Sequence, residues 1–139
     1  MKKTIFFVLF CFSTQIFAFS NPQIRLCRVT GGQFWSLDID YPSPDNMGFC
    51  RYGQAMIDTI SLIEHREYAL GTKAMVAYYI TKISPFASCD EAGGILTAGY
   101  DSEGQRTQLC SFSDNSHIKS STLLKGWSHP SNKALNKAL

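Results

Sequence analysis

One pattern occurs twice in this chain. Cys27-Arg28-Val29-Thr30-Gly31-Gly32 and Cys89-Asp90-Glu91-Ala92-Gly93-Gly94 share the spacing of a cysteine and a glycine pair. Each glycine pair leads into a strand-like stretch that reaches a second cysteine after a nearly equal distance, Cys50 in one copy and Cys110 in the other. Pro22 and Pro85 precede the two first cysteines. Behind the second cysteines, Ile57, Leu62 and Ile63 correspond to Ile118, Leu123 and Leu124 with a one-residue offset. A tandem repeat with a period of about 60 residues confines the chain to two small, similar units. They occupy 19–71 and 84–127, joined by a segment at 72–83 and followed by a flexible polar tail at 128–139 that contains Pro130.

The chain opens as a secretory signal does. Lys2 and Lys3 precede an apolar run from Thr4 to Phe12, and Ile16-Phe17-Ala18 offers a small-residue cleavage site, so 1–18 reads as a signal peptide. Phe10 stands where lipid anchoring at Cys11 needs a small residue. The protein is thus expected in the periplasm or outside the cell, without a lipid anchor. Of 13 basic and 11 acidic side chains, Lys2 and Lys3 leave with the signal, so basic and acidic groups balance in the remainder. Without a Lys/Arg stripe nucleic acid is excluded as a partner, and no second long apolar stretch provides an integral membrane segment.

Four cysteines remain after the signal, an even number that reads as two disulfides in an exported protein. Four cysteines allow three connectivities, and duplication favours equivalent pairing inside each copy: Cys27 with Cys50, and Cys89 with Cys110. Each bridge closes a loop of roughly 20 residues and contributes about 3 kcal/mol by restricting the unfolded chain. Units this small bury little core, which makes such bridges useful.

Asn21-Pro22 is a helix start, with Asn as cap and Pro in the first turn, and a helix is predicted from Pro22 to about Thr30. Gly31 supplies the residue that ends it. Ser84-Pro85 and Gly93 predict the same in the second copy. Trp35, Leu37 and Ile39 alternate on one face of a strand, and Tyr41 to Asn46 turns into a return strand from Met47 to Tyr52. The second hairpin runs Ile95 to Tyr100, turns at Asp101-Ser102-Glu103-Gly104 and returns from Gln105 to Phe112. A second helix follows each hairpin, one through Ile57, Ile60, Ile63 and Leu70 to Gly71, the other capped by Asn115 or Ser116 and ending near Gly126. Periodicity leaves Val76 to Ile80 open between helix and strand. The expected class is α+β: two disulfide-stapled units, each a short helix, a hairpin and a second helix or strand.

Asn21-Pro22, Cys27, Gly31-Gly32 and Gly48-Phe49-Cys50 together resemble the bacterial domain of unknown function 333 family, and Cys89, Gly93-Gly94 and Cys110 are similar to a second, more divergent copy. The resemblance covers about residues 21–65 and 84–126. It implies a small envelope protein of a family often labelled hemolysin, and it implies no active site. The family's further cysteine pair has no counterpart in Asp58 to Glu64 or Lys119 to Lys125.

Candidate chemistry is sparse. His65, His117 and His129 are isolated, which reads as surface histidines and no metal site. No Gly-x-Ser-x-Gly elbow exists, and the cysteines are used by the disulfides, which weighs against nucleophilic catalysis. Gly31, Gly32, Gly93 and Gly94 read as structural turns. Asp38, Asp40, Asp45, Asp101 and Glu103 read as solvated turn acids. Phe34, Trp35, Tyr41, Phe49 and Tyr52 gather in the first hairpin, against Tyr100 and Phe112 in the second. The outward-facing ones, Phe34 and Tyr41, suit a contact surface, and Trp35 beside them is a further binding candidate. The reading is an exported, non-enzymatic binding module for a protein or envelope component, without a cofactor, and hydrolase inhibition is one form of it. The alternative is a membrane-active hemolysin using Thr72 to Ile83, and the third is a small secreted hydrolase.

Overall fold

A computed structural model describes residues 21–67 and 71–139. The signal-peptide reading of 1–18, and the expected helix end at Leu70, lie outside the described residues. The first helix, α1 (Pro22–Val29), starts where Asn21 Oδ1 accepts a hydrogen bond from the Gln23 amide at 2.9 Å. Its end explains the glycine pair. Gly31 has φ +88°, which a residue with a Cβ adopts only under strain, and the Gly32 amide turns back to donate to Cys27 O at 2.7 Å. In the second copy Gly93 has φ +83° and the Gly94 amide donates to Cys89 O at 3.0 Å. The second glycine of each pair lies against an aromatic ring two residues beyond the second cysteine, Tyr52 for Gly32 and Phe112 for Gly94.

The disulfides are Cys27–Cys50 and Cys89–Cys110, with Cα–Cα distances of 5.2 and 5.5 Å. No helix precedes Cys89, in contrast to the expectation from Ser84-Pro85. A single turn forms there instead, in which Ser88 Oγ accepts from the Glu91 amide at 3.3 Å and Glu91 Oε2 from the Ala87 amide at 2.9 Å.

The strands are β1 (Gln33–Ile39), β2 (Asp45–Tyr52), β3 (Ala55–Asp58), β4 (Ile95–Tyr100), β5 (Arg106–Ser111) and β6 (His117–Lys119). They close one barrel in the order β1-β2-β3-β6-β5-β4. The class is α+β with two disulfides, as expected, but the hairpins do not form two separate units: both join one barrel. The seams between the halves are antiparallel. Ile57 pairs with Ile118 across β3–β6, and Asp38 with Tyr100 across β1–β4. Ile57 lies opposite Cys50 and Ile118 opposite Cys110, so each of these isoleucines meets its own counterpart in the other half.

Alternation along the strands makes two cores. Leu37, Ile39, Met47, Phe49, Met56 and Leu109 fill the barrel, with Trp35 half-buried beside them. Cys50, Tyr52, Ile57, Cys110, Phe112 and Ile118 point outward under the helices. These helices are α2 (Thr59–Glu67), α3 (Lys73–Ile80), α4 (Ser120–Lys125) and α5 (Lys133–Ala138).

Three further expectations are corrected, and one segment left open takes a definite form. The helix read from Ile57 begins at Thr59, because Ala55 to Asp58 are spent on β3 and the Asp58 carboxylate accepts from the Ser61 amide at 2.7 Å as a cap. Asn115 and Ser116 do not cap a helix: they form the β5–β6 turn, and α4 starts at Ser120, ending at Gly126 with φ +81°. The segment left open at 72–83 is helical over Lys73–Ile80. The tail is not frayed. Asn132 Nδ2 donates to Thr122 O and Gly126 O at 2.8 and 2.7 Å, and Tyr78 OH donates to Asn136 Oδ1 at 2.6 Å, so that Leu135 is fully buried.

Candidate functional site

Trp35 lies near one mouth of the barrel, where β1 extends past its two pairs with β4 and runs alongside the turn between β4 and β5. The gap leaves a cavity of about 340 Å³ whose walls include Phe34, Trp35, Ser36, Asp38, Asn46, Tyr100, Asp101 and Glu103. A second cavity, of about 160 Å³, is lined by Trp35, Arg51, Met56, Asp101, Gln105, Arg106, Thr107 and Lys119. The larger cavity is edged with carboxylates and the smaller with cations. Trp35, Asp101 and Gln105 belong to both.

Four of the charged groups, Arg51, Lys119, Asp101 and Asp38, are held in place. The Arg51 guanidinium carbon lies 5.2 Å from the centre of the Trp35 ring, within cation–π range. Arg51 Nε donates to Gly53 O at 3.1 Å and Lys119 Nζ to Gln54 O at 3.0 Å, both carbonyls of the tight β2–β3 turn. Burial first, then the charges of Arg51 and Lys125, push the Lys119 pKa below the usual lysine range. Asp101 Oδ1 accepts from the amides of Glu103 and Gln105, both at 2.9 Å, and fixes the β4–β5 turn. Asp38 Oδ1 accepts from Asn46 Nδ2 at 2.8 Å.

Of the three aromatic residues singled out in the sequence, Phe34 and Trp35 line this groove, while Tyr41 lies in the β1–β2 loop and does not line either cavity. Phe34 packs against the outer core with part of its ring. Sequence reasoning missed Arg51, Arg106 and Lys119. They are scattered basic residues on three strands, and only the register brings them to one mouth. A signal existed in the position of Arg51 directly behind Cys50, which points it away from the disulfide and toward the barrel interior.

A second constellation sits at the opposite mouth. Thr97 Oγ1 meets Ser111 Oγ at 2.6 Å, Ser111 Oγ meets His117 Nδ1 at 2.7 Å, and His117 Nε2 meets Asn115 Oδ1 at 3.2 Å. The Asp58 carboxylate accepts from the His117 amide at 2.8 Å and from Ser61 Oγ at 2.6 Å. His117 is fully buried, against the reading of a surface histidine, and Ser111 is buried with it. The buried serine–histidine pair ties β5 to β6. Burial raises the Asp58 pKa to about 6 and lowers that of His117 to about 4. Among the described residues no group of three or more His, Cys, Asp and Glu is placed to hold a metal ion, and no helix is long and apolar enough to cross a membrane.

Comparison with protein-family models, with characterised proteins and with solved structures finds no match for this chain.

Proposed function

We propose that this chain is an exported, non-enzymatic binding module that receives its ligand in the two cavities that share Trp35. The observation that carries this reading is the indole, a large aromatic side chain left half-buried where two cavities of opposite charge meet. Recognition sites commonly combine an aromatic anchor with a few placed polar groups. Export is supported by the disulfides, which belong to oxidising compartments, and by the apolar start of the sequence. The resemblance to the domain of unknown function 333 family points to the same envelope setting. We read the halves as copies of one ancestral unit that now complete each other's barrel, supported by the way counterpart residues pair at both seams. Hydrolase inhibition is a specific form of the proposal: Pro42 and Pro44 stiffen the loop carrying Tyr41, and a preorganised loop loses little entropy on docking.

The test is capture from envelope extract by the oxidised chain and by its Trp35→Ala variant. A partner retained by the parent and lost by the variant supports the reading. Equal, partner-free recoveries sink it.

One observation favours a membrane-active reading. Val76, Ile80 and Ile83 stand exposed along α3 and its C-terminal turn, Ile83 at 91%. Lys82 does not flank that ridge, since it precedes Ile83 and its ammonium lies over the Tyr79 and Trp127 rings, but the exposed apolar residues themselves suit a lipid interface. Dye leakage from anionic vesicles, lost in Ile80→Asp with Ile83→Asp, checks it, and intact vesicles at micromolar protein remove it.

A further inference from the structure

The open mouth of the barrel gathers positive charge with neutral groups. The β2–β3 turn holds Arg51 and Lys119 through the carbonyls of Gly53 and Gln54, and Arg106 reaches the same cavity from β5. The carboxylate on that wall is Asp101, whose Oδ1 is engaged by two amides of its own turn. Three cations therefore face one carboxylate around a cavity of about 160 Å³. Burial of Lys119 comes first among the costs and the charge of Arg51 adds to it, and the drop in the Lys119 pKa registers both. A bound anion offsets both. Contact with the indole face and the bond to Gly53 restrict the Arg51 guanidinium before any ligand arrives, and its remaining N–H groups match the geometry of an oxyanion.

We propose that this mouth is an oxyanion site, in which Arg51, Lys119 and Arg106 take a carboxylate or phosphate group of the ligand. The rest of the ligand lies past Trp35 in the neighbouring cavity of about 340 Å³. There Asp38 and Glu103 turn away a second anion and accept hydrogen bonds from hydroxyl or amide groups. The ligand class is an uncharged, donor-bearing body with one acidic end. This rests on the Trp35 groove being the ligand seat.

The experiment titrates acetate and inorganic phosphate into the isotope-labelled, oxidised chain at constant ionic strength, following backbone amide shifts by NMR. The site requires saturable shifts at Arg51, Gly53, Gln54 and Lys119, and the anion that saturates at lower concentration identifies the acidic group. Lys119→Gln and Arg106→Gln, each folded by its own spectrum, weaken that binding about tenfold. Shifts that grow linearly, spread equally to Lys133 and Lys137, or persist in both variants overturn the site. Absence of saturation together with Trp35-dependent capture removes the oxyanion alone. Saturation with Trp35-independent capture removes the groove reading and with it the ligand body placed here.

Discussion

The two mouths of the barrel occupy equivalent positions in the two halves and are built in opposite ways. Trp35 pairs with Phe49 and Thr97 with Leu109, each partner one residue before its second cysteine. Arg51 and Ser111 follow those cysteines, and they face Met56 and His117 on the next strand. Phe49 faces Asp58 where Leu109 faces Lys119. The open mouth of Trp35, Arg51, Met56 and Lys119 thus corresponds to the sealed mouth of Thr97, Ser111, His117 and Asp58. Hydroxyls, an imidazole and a carboxylate are short enough to satisfy one another inside the wall. An indole and long cations are not, and they leave cavities. The same backbone positions serve closure at one end and exposure of chemistry at the other.

Substitutions at one counterpart pair should separate these roles. Asp58 accepts from the Ser61 amide, Ser61 Oγ and the His117 amide, all in the interior. Asp58→Ala leaves these donors without a partner and should cost about 4 kcal/mol in urea unfolding. Its counterpart Lys119 is held by a single carbonyl beside another cation. Lys119→Met should change stability by less than about 0.5 kcal/mol. Equal losses at the two positions would end the distinction between a sealed and an open mouth.

The sealed mouth also contains two groups whose titrations oppose each other. The Asp58 pKa is raised from 3.8 to about 6, so its contribution is fully present below 3.8 and is lost as pH rises through 6. The His117 pKa is lowered from 6.5 to about 4, so its contribution is present above 6.5 and is lost as pH falls through 4. Between about pH 4 and 6 the folded chain carries a proton on Asp58 and the unfolded chain carries one on the histidine. The proton counts match, and these two groups together leave stability nearly flat. Asp58→Asn leaves the histidine alone, and stability then rises with pH by about 1.4 kcal/mol per unit. His117→Gln leaves the acid alone, and stability falls with the same slope. Urea midpoints at a series of pH values read these slopes, and parallel profiles for the parent and both variants would show that neither group titrates as its burial requires.

Much of one half could be read from its residues, and little of how the halves meet. The cap at Asn21, the glycine pairs, the disulfide pairing and the alternation of Trp35, Leu37 and Ile39 are local or repeated, so the chain announces them. β3 and β6 are hidden because both of their faces are covered. Ala55, Met56, Ile57 and Asp58 are all buried, two toward the barrel and two toward helices, which erases the two-residue period and lets the apolar spacing pass for a helix. The cationic mouth depends on that same closure. The tail looked solvated because its order comes from Asn132 and Asn136, polar side chains that serve here as ties to backbone and to Tyr78.

The smallest contrast concerns the second glycines of the repeat, which are alike in role and differ in tolerance. A Cβ at Gly32 lies 2.7 Å from the Tyr52 ring and 3.0 Å from Arg51 O. At Gly94 the nearest atoms, on the Phe112 ring and at Ser111 O, are both 3.1 Å away. Tyr52 is also pinned, because its hydroxyl lies 2.6 Å from Thr30 Oγ1 at the end of α1. Phe112 has no hydroxyl to tether, so its ring can give by the few tenths of an ångström required. Gly32→Ala should therefore cost about 2 kcal/mol, as overpacking does, and Gly94→Ala less than about 1. Adding Tyr52→Phe to Gly32→Ala removes the tether and should bring the cost of the alanine down toward that at Gly94, measured as a double-mutant cycle in urea. A Gly32→Ala cost that stays the same with and without the hydroxyl would place the clash at Arg51 O, on the backbone of the wall that carries the open mouth.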